Sequence, residues 1–327
     1  MASFNLDDLL NTQPSTVSRD LTGYITFVYG EPKIGKTTFA RDMRSFILEC
    51  EAGTNALTGA YGRKMQNWAD IKTFVRLVKD PKFKEKFPSI AVDTVDLAAS
   101  YCEKYVCNQL GIDSLGEAGY GKGWTAFKKE FEDVFHSLTM LGYAVLFISH
   151  SKVQTITRPD GSTYDRIVPT VSSSINKIVE NMADIISYFY QDPKDHERYM
   201  LLRSLDGTVD AGSRFKYMEP RAKLGYEHMV DALNNAINKE AEMSGAGAVV
   251  ETRTEIPPIE EFDYDAMMKE ANDIIKSIPK EKMTDYAPRI TQIVEKYLGK
   301  GHKLGNATRD QVEQISLILA DLKDLIK

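Results

Sequence analysis

The chain is poor in cysteine. Cys50, Cys102 and Cys107 are the only three in 327 residues. So few, and an odd number, argue against a disulfide framework and fit a reducing compartment. None has histidine or cysteine neighbours at zinc spacing, so the thiols are expected in the core or on a helix surface. No run approaches the roughly 18 apolar residues of a membrane span. The N-terminus lacks the basic start and apolar stretch of a secretory signal, so a cytoplasmic location is expected. There is no excess of positive charge either: the net charge is −6. Any nucleic-acid contact must come from a local basic patch. Internal repeats are absent.

What is present is a phosphate-binding motif. Gly30-Glu31-Pro32-Lys33-Ile34-Gly35-Lys36-Thr37 matches G-x-x-x-x-G-K-[ST] throughout. Residues 23–29 before it read as a buried strand, and Thr37-Thr38-Phe39-Ala40 can open a helix. A loop between strand and helix points backbone N–H groups at a phosphate, and the helix N-terminus adds partial positive charge. Gly30 to Thr38 would cradle ATP or GTP. Lys36 would reach the β- and γ-phosphates, and the Thr37 hydroxyl would ligate Mg²⁺.

Short apolar runs at 24–29, 45–50, 89–93, 143–149 and 184–190 read as strands buried on both faces. Residues 199–203 and 214–217 read as a terminal hairpin. Helices fill the gaps. The clearest covers 124–141, with Phe127, Phe131, Val134, Phe135 and Leu138 on one face. The alternation predicts an α/β fold with a mostly parallel central sheet flanked by helices. Residues 1–20 read as a tail, with an amphipathic patch at Phe4, Leu6, Leu9 and Leu10. The core spans 21–243, and a Gly/Ala break with an acidic, Pro257-Pro258-containing linker spans 244–265. A small helical region covers 266–327. There Thr308 and Gln311 form a capping box ahead of an apolar stripe at Val312, Ile315, Leu319, Leu322 and Ile326.

Hydrolysis of a nucleoside triphosphate needs a second acid near Mg²⁺ and a group to orient water. Asp93 ends the apolar strand 89–93 and is the expected metal carboxylate. No glutamate follows it; Asp96 is the nearest acid. Glu51, at the end of the strand after the phosphate-loop helix, is the expected catalytic carboxylate, with Glu49 the alternative. His150 ends strand 143–149 and is either a reporter of the γ-phosphate or a structural histidine. Residues 151–173 read as a long loop, or as a solvated hairpin flap. Lys152, Arg158 and Arg166 with Tyr164 suit a single nucleic-acid strand, by phosphate pairing and base stacking. Arg214 and Lys216, two apart on a presumed strand, could act on a neighbouring subunit's γ-phosphate.

In their order, these parts resemble the RecA-like ATPase core, most closely the compact phage-encoded ATPases of the Sak recombinase group, over residues 21–224. Glu49-Cys50-Glu51 resembles the family's acid-x-Glu run, whose last acid is catalytic. Ile90-Ala91-Val92-Asp93-Thr94 resembles Walker B. Phe147-Ile148-Ser149-His150 resembles the strand whose terminal polar residue couples nucleotide to a DNA-binding loop, although RecA has glutamine where His150 stands. The resemblance implies a DNA-stimulated ATPase with ATP and Mg²⁺ as cofactors and single-stranded DNA as partner. It also implies a homo-oligomer, ring or filament, in a host cytoplasm, with Arg214 and Lys216 as trans-acting cations. Residues 251–327 have no counterpart in it and could grip a protein partner, as in an ATP-gated helicase loader or assembly switch.

Overall fold

The structure is a computed structural model that describes residues 10–11, 17–51, 53–55, 57–244, 249–250 and 263–326. The chain divides into two compact units, one within Gln13–Pro258 and one centred on Ile259–Lys327. Most of the amphipathic patch (Phe4, Leu6, Leu9) and most of the acidic linker lie outside the described residues.

Strands of the larger unit are, in order, β1 (Val17–Ser18), β2 (Ile25–Gly30), β3 (Ser45–Glu49), β4 (Tyr61–Lys64), β5 (Ser89–Asp93) and β6 (Ala144–Thr157). They continue with β7 (Thr163–Pro169), β8 (Ile185–Gln191), β9 (Arg198–Leu201), β10 (Gly212–Ser213), β11 (Arg221–Lys223) and β12 (Val249–Val250). The helices are α1 (Lys36–Asp42), α2 (Trp68–Leu77), α3 (Pro81–Lys86), α4 (Val95–Leu110), α5 (Lys122–Met140), α6 (Ser173–Met182) and α7 (Tyr226–Ser244). The main sheet runs β11-β9-β8-β2-β6-β5-β3-β4. From β8 to β4 every pairing is parallel; β9, β10 and β11 add antiparallel pairs at one edge.

Both faces of the sheet are covered, which is why its strands read as unbroken apolar runs. One face packs Trp68, Phe127, Phe131, Phe135 and Phe147 under α2, α4, α5 and α6. The other packs Phe39, Ile47, Ile148, Phe189, Met229 and Leu233 under α1 and α7. The three thiols are free and buried.

Three local expectations differ from the structure. Strand β6 does not stop at residue 149 but runs on to Thr157 and pairs antiparallel with β7, so of the two readings of 151–173 the hairpin flap holds over Ser151–Pro169 and the loop does not. The expected 199–203/214–217 hairpin does not form. β9 pairs with β8 and β11, while the short β10 pairs with β8 and ends before Arg214. Part of the stretch read as a tail also joins regular structure, Val17–Ser18 as β1 and Asp20 as the cap of the turn Leu21–Gly23.

The smaller unit packs α8 (Tyr264–Ser277), α9 (Met283–Leu298) and α10 (Val312–Ile326). Asp263 caps α8 by accepting the Ala266 N–H, so helix begins inside the stretch read as linker. Thr308 and Gln311 form the capping box. Ile315, Leu319 and Leu322 are buried with Ile318 and Met267, whereas Ile326 is exposed.

Gly30, the last residue of β2, is required by a close approach. A Cβ there would lie 2.3 Å from the Phe189 carbonyl oxygen of β8. That oxygen belongs to the ladder and cannot rotate away. Gly30→Ala is expected to lower stability by about 1–3 kcal/mol, the usual cost of overpacking a filled site. Urea denaturation followed by circular dichroism checks this, and a midpoint equal to wild type contradicts it.

Candidate functional site

The parallel pairing brings the ends of β2, β3, β5 and β6 to one edge of the sheet. Gly30 pairs with His150, and Glu49 pairs with Asp93. Past these ends lies a cleft of about 380 Å³, lined by the phosphate loop, Glu51, Gly53, Leu57, Asp93 and His150.

Lys36 opens α1 and is buried. Its ammonium folds over the loop and donates to the Gly30 and Glu31 carbonyls, each at 2.8 Å. Burial lowers its pKa to about 8, against the opposing pull of Asp93 and Glu51. Thr37 Oγ1 donates to Asp93 Oδ2 at 2.8 Å. Asp93 is itself buried, and burial raises its pKa despite the Thr37 bond and the charge of Lys36. The Asp93–Thr94 peptide is cis.

His150 stands between two of these groups. Its Nδ1 is 3.5 Å from Lys36 Nζ, and its Nε2 is 3.1 Å from Glu51 Oε2. Side-chain exposures of 29% for His150 and 48% for Glu51 leave this pair open to water from the cleft. Glu49 is buried, with its carboxylate against Gly62 of β4, so Glu51 is the acid that reaches the cleft.

A hydroxyl and a carboxylate 2.8 Å apart, on the helix start and a strand end, form the oxygen-donor pair that a hard cation such as Mg²⁺ takes. Gly53 keeps that pair accessible. A Cβ at Gly53 would lie 3.0 Å from Asp93 Oδ2 and 3.2 Å from Thr37 Oγ1. The residues therefore fit Mg²⁺, which Thr37 and Asp93 would hold.

The proposed nucleic-acid residues lie on or beside the hairpin. Cross-strand pairing sets Lys152, Gln154 and Ile156 opposite Val168, Arg166 and Tyr164, so these share one face of the ribbon. Arg158 stacks on Tyr164, 4.3 Å from the ring centroid. Arg166 is ion-paired with Asp210, and Lys152 donates to the Thr170 carbonyl at 3.3 Å. Burial raises the Asp210 pKa, with Arg166 opposing. At the ribbon's root, the buried Tyr29 hydroxyl contacts the Asp210 and Ile167 carbonyls at 2.6 and 3.2 Å.

Arg214 and Lys216 are not brought to the phosphate loop of their own chain. Arg214 follows β10 and pairs with Asp184 at 3.3 Å, just before β8, at the opposite end of the strands from Gly30. Lys216 lies over the Tyr217 ring. The period-two argument for the pair fails because neither residue is in a strand.

Sequence reasoning missed Arg198, whose Nη1 donates to the Ile34 carbonyl at 3.3 Å, and Leu224, which packs against Gly35. No local pattern marks either; strand order alone brings them to the loop. Gly53 did leave a trace, as a glycine in the turn after Glu51.

The AAA_24 family, an AAA domain, matches residues 22–215. The SPbeta prophage-derived uncharacterized protein YorG of Bacillus subtilis (strain 168) is 30% identical over 329 residues, 98% of this chain and 98% of that protein. The crystal structure of the RadB recombinase superposes with a TM-score of 0.38 at 14% identity, covering 63% of this chain and 90% of that one. That superposition is too loose to bear on function.

The depressed Lys36 pKa makes a pH prediction. Below about 8 the ammonium is charged and attracts a triphosphate; above it the charge is lost. Affinity for ATP is expected to fall by up to about tenfold between pH 7 and pH 9. Lys36→Arg, whose guanidinium keeps its proton, should flatten that slope. Isothermal titration calorimetry at several pH values measures both, and a wild-type affinity independent of pH contradicts the assignment.

Proposed function

This chain belongs to the AAA_24 family of AAA domains, and on that premise we propose that it is a Mg²⁺-dependent ATPase coupling ATP hydrolysis to a single-stranded-DNA-binding hairpin, as a phage-type recombination or annealing ATPase. One observation carries the reading. His150 lies between Lys36 and Glu51, and its strand continues without a break into the β6–β7 ribbon. His150, beside Lys36 and Glu51, and the cations Lys152, Arg158 and Arg166 thus share one supersecondary unit. The prophage origin of the 30% identical relative agrees with the phage context.

The roles follow from the chemistry. Backbone N–H groups of the phosphate loop bind the triphosphate, and the Lys36 charge offsets that of its oxygens. Thr37 and Asp93 would hold Mg²⁺, which when bound neutralises charge on the β- and γ-phosphates. Glu51, half exposed beside His150, orients the attacking water and takes up its proton. His150 holds the Glu51 carboxylate in place. Tyr164 offers a ring face to an unstacked base, and the hairpin cations pair with phosphates.

One observation favours a second reading, an ATP-gated loader or assembly switch that acts on a protein through the C-terminal helices. Arg166 and Arg158 already have partners in Asp210 and Tyr164, which leaves less of the ribbon for DNA.

The ATPase rate with and without single-stranded DNA separates the two. Stimulation by the oligonucleotide is expected on the first reading, and an indifferent rate moves the weight to the second. Glu51→Gln should bind ATP–Mg²⁺ near normally and hydrolyse it about 10²-fold more slowly. Wild-type turnover by that variant, with loss in Asp96→Asn, would reassign the catalytic acid.

A homo-oligomer, ring or filament, with Arg214 and Lys216 acting in trans, belongs to the same proposal. Their distance from the phosphate loop of their own chain is compatible with it. Mixing Arg214→Ala/Lys216→Ala protein with Lys36→Ala protein should restore part of the activity, since a mixed interface can pair an intact loop with intact cations. A fully active monomer by light scattering in ATP and DNA would exclude it.

A further inference from the structure

Thr170, one residue past β7, is the meeting point of five contacts that the catalytic reading does not use, one of them a 3.3 Å approach of its hydroxyl to the His150 carbonyl. Its N–H donates to the His150 carbonyl at 2.9 Å. Its hydroxyl donates to Asp96 Oδ1 at 2.6 Å and lies 3.3 Å from Ser149 Oγ. Its own carbonyl accepts from Lys152 at 3.3 Å. The hydroxyl has one proton, and the short distance assigns it to Asp96.

Asp96 is not an ordinary first-turn acid. It sits in the first turn of α4, just after the Asp93–Thr94 strand end. Its Oδ2 is buried without a hydrogen-bond partner, and its charge acts on Lys36. A half-buried carboxylate with one oxygen shut off from water and unmatched is expensive to maintain unless the other is held firmly. The Thr170 hydroxyl supplies that bond. Asp96 is therefore tied on one side to the strand end that bears Asp93, and on the other to the root of the hairpin.

We propose that Asp96 and Thr170 are positioning residues for the ATPase reaction. The Asp96–Thr170 hydrogen bond fixes the main chain at His150, and so sets the His150 ring between Lys36 and Glu51. Through the Thr170 carbonyl it also sets Lys152 at the start of the ribbon. Neither residue lines the cleft, so neither is expected to touch nucleotide. The proposal rests on the ATPase reading and adds to it the joint between the phosphate site and the hairpin.

Thr170→Val removes the hydroxyl and keeps the shape and the backbone N–H. It should lower kcat for ATP about tenfold with KM changed by less than about twofold, because water positioning is lost while the phosphate loop is intact. Thr170→Ser should recover most of the rate. Asp96→Asn keeps an acceptor for Thr170 and should fall between the two, which also guards against a folding defect in any one variant. Hydrogen exchange of the 151–169 amides gives a second readout. In wild type, a non-hydrolysable ATP analogue should change their exchange; in Thr170→Val it should bind with wild-type affinity and leave them unchanged. Wild-type kcat together with a wild-type exchange response in Thr170→Val would overturn the proposal alone. Absence of nucleotide affinity in the wild-type protein would overturn it together with the ATPase reading.

Discussion

The register between β2 and β6 is the constraint on which the rest depends. Main-chain pairing of Gly30 with His150 brings the start of the phosphate loop and the end of a strand from much later in the chain to the same level. The neighbouring pair, Glu49 with Asp93, ends at the same edge. A slip of one residue in β6 would turn His150 to the opposite face and bring Ser149 in its place. Such slips are resisted because Val145, Phe147 and Ile148 are wholly buried, so both faces of the strand are committed to apolar neighbours.

Within that frame the site is held together by charges under tension. Lys36 and Asp93 are both taken out of water, and burial pushes each toward its neutral form. Each is retained in the charged direction by the other and by hydrogen bonds to Thr37 and to the loop carbonyls. A pre-set arrangement of this kind needs little reorganisation when further charge arrives. It also explains why the open, half-exposed partners, Glu51 and His150, sit on the solvent side of the buried pair.

The legible parts of the fold were those in which burial writes a pattern. Strands β2, β3, β5 and β8 are apolar because both faces are covered, and α5 shows its core side through Phe127, Phe131 and Phe135. Strand β4 went unseen because all four of its residues are exposed and it lies at the edge, so no alternation marks it. The outer half of β6 looked like loop for the same reason: Lys152, Val153, Gln154 and Thr155 are all exposed. In the site, Lys36, Thr37 and Asp93 could be placed from local motifs. The Glu51–His150 contact could be guessed only from the rule that strand ends converge, and Arg198 and Thr170 could not be placed at all, since their partners are set by strand order.

Strand β6 is 14 residues long, and only its first part is clamped in the sheet. From Ser151 to Thr157 it pairs only with β7, and that ribbon is tethered where Ile167, opposite Val153, bridges to Val209 and where Arg166 pairs with Asp210. From Val153 to Thr157 it extends roughly 13 Å at about 3.3 Å per residue. An arm of that length has mechanical gain. A tilt of about 10° about that tether displaces the tip by roughly 2 Å. A rearrangement beside the phosphate loop that tilts the ribbon would thus be enlarged toward its tip. Stiffness along the arm, supplied by its unbroken cross-strand ladder, is what keeps that displacement from being lost on the way.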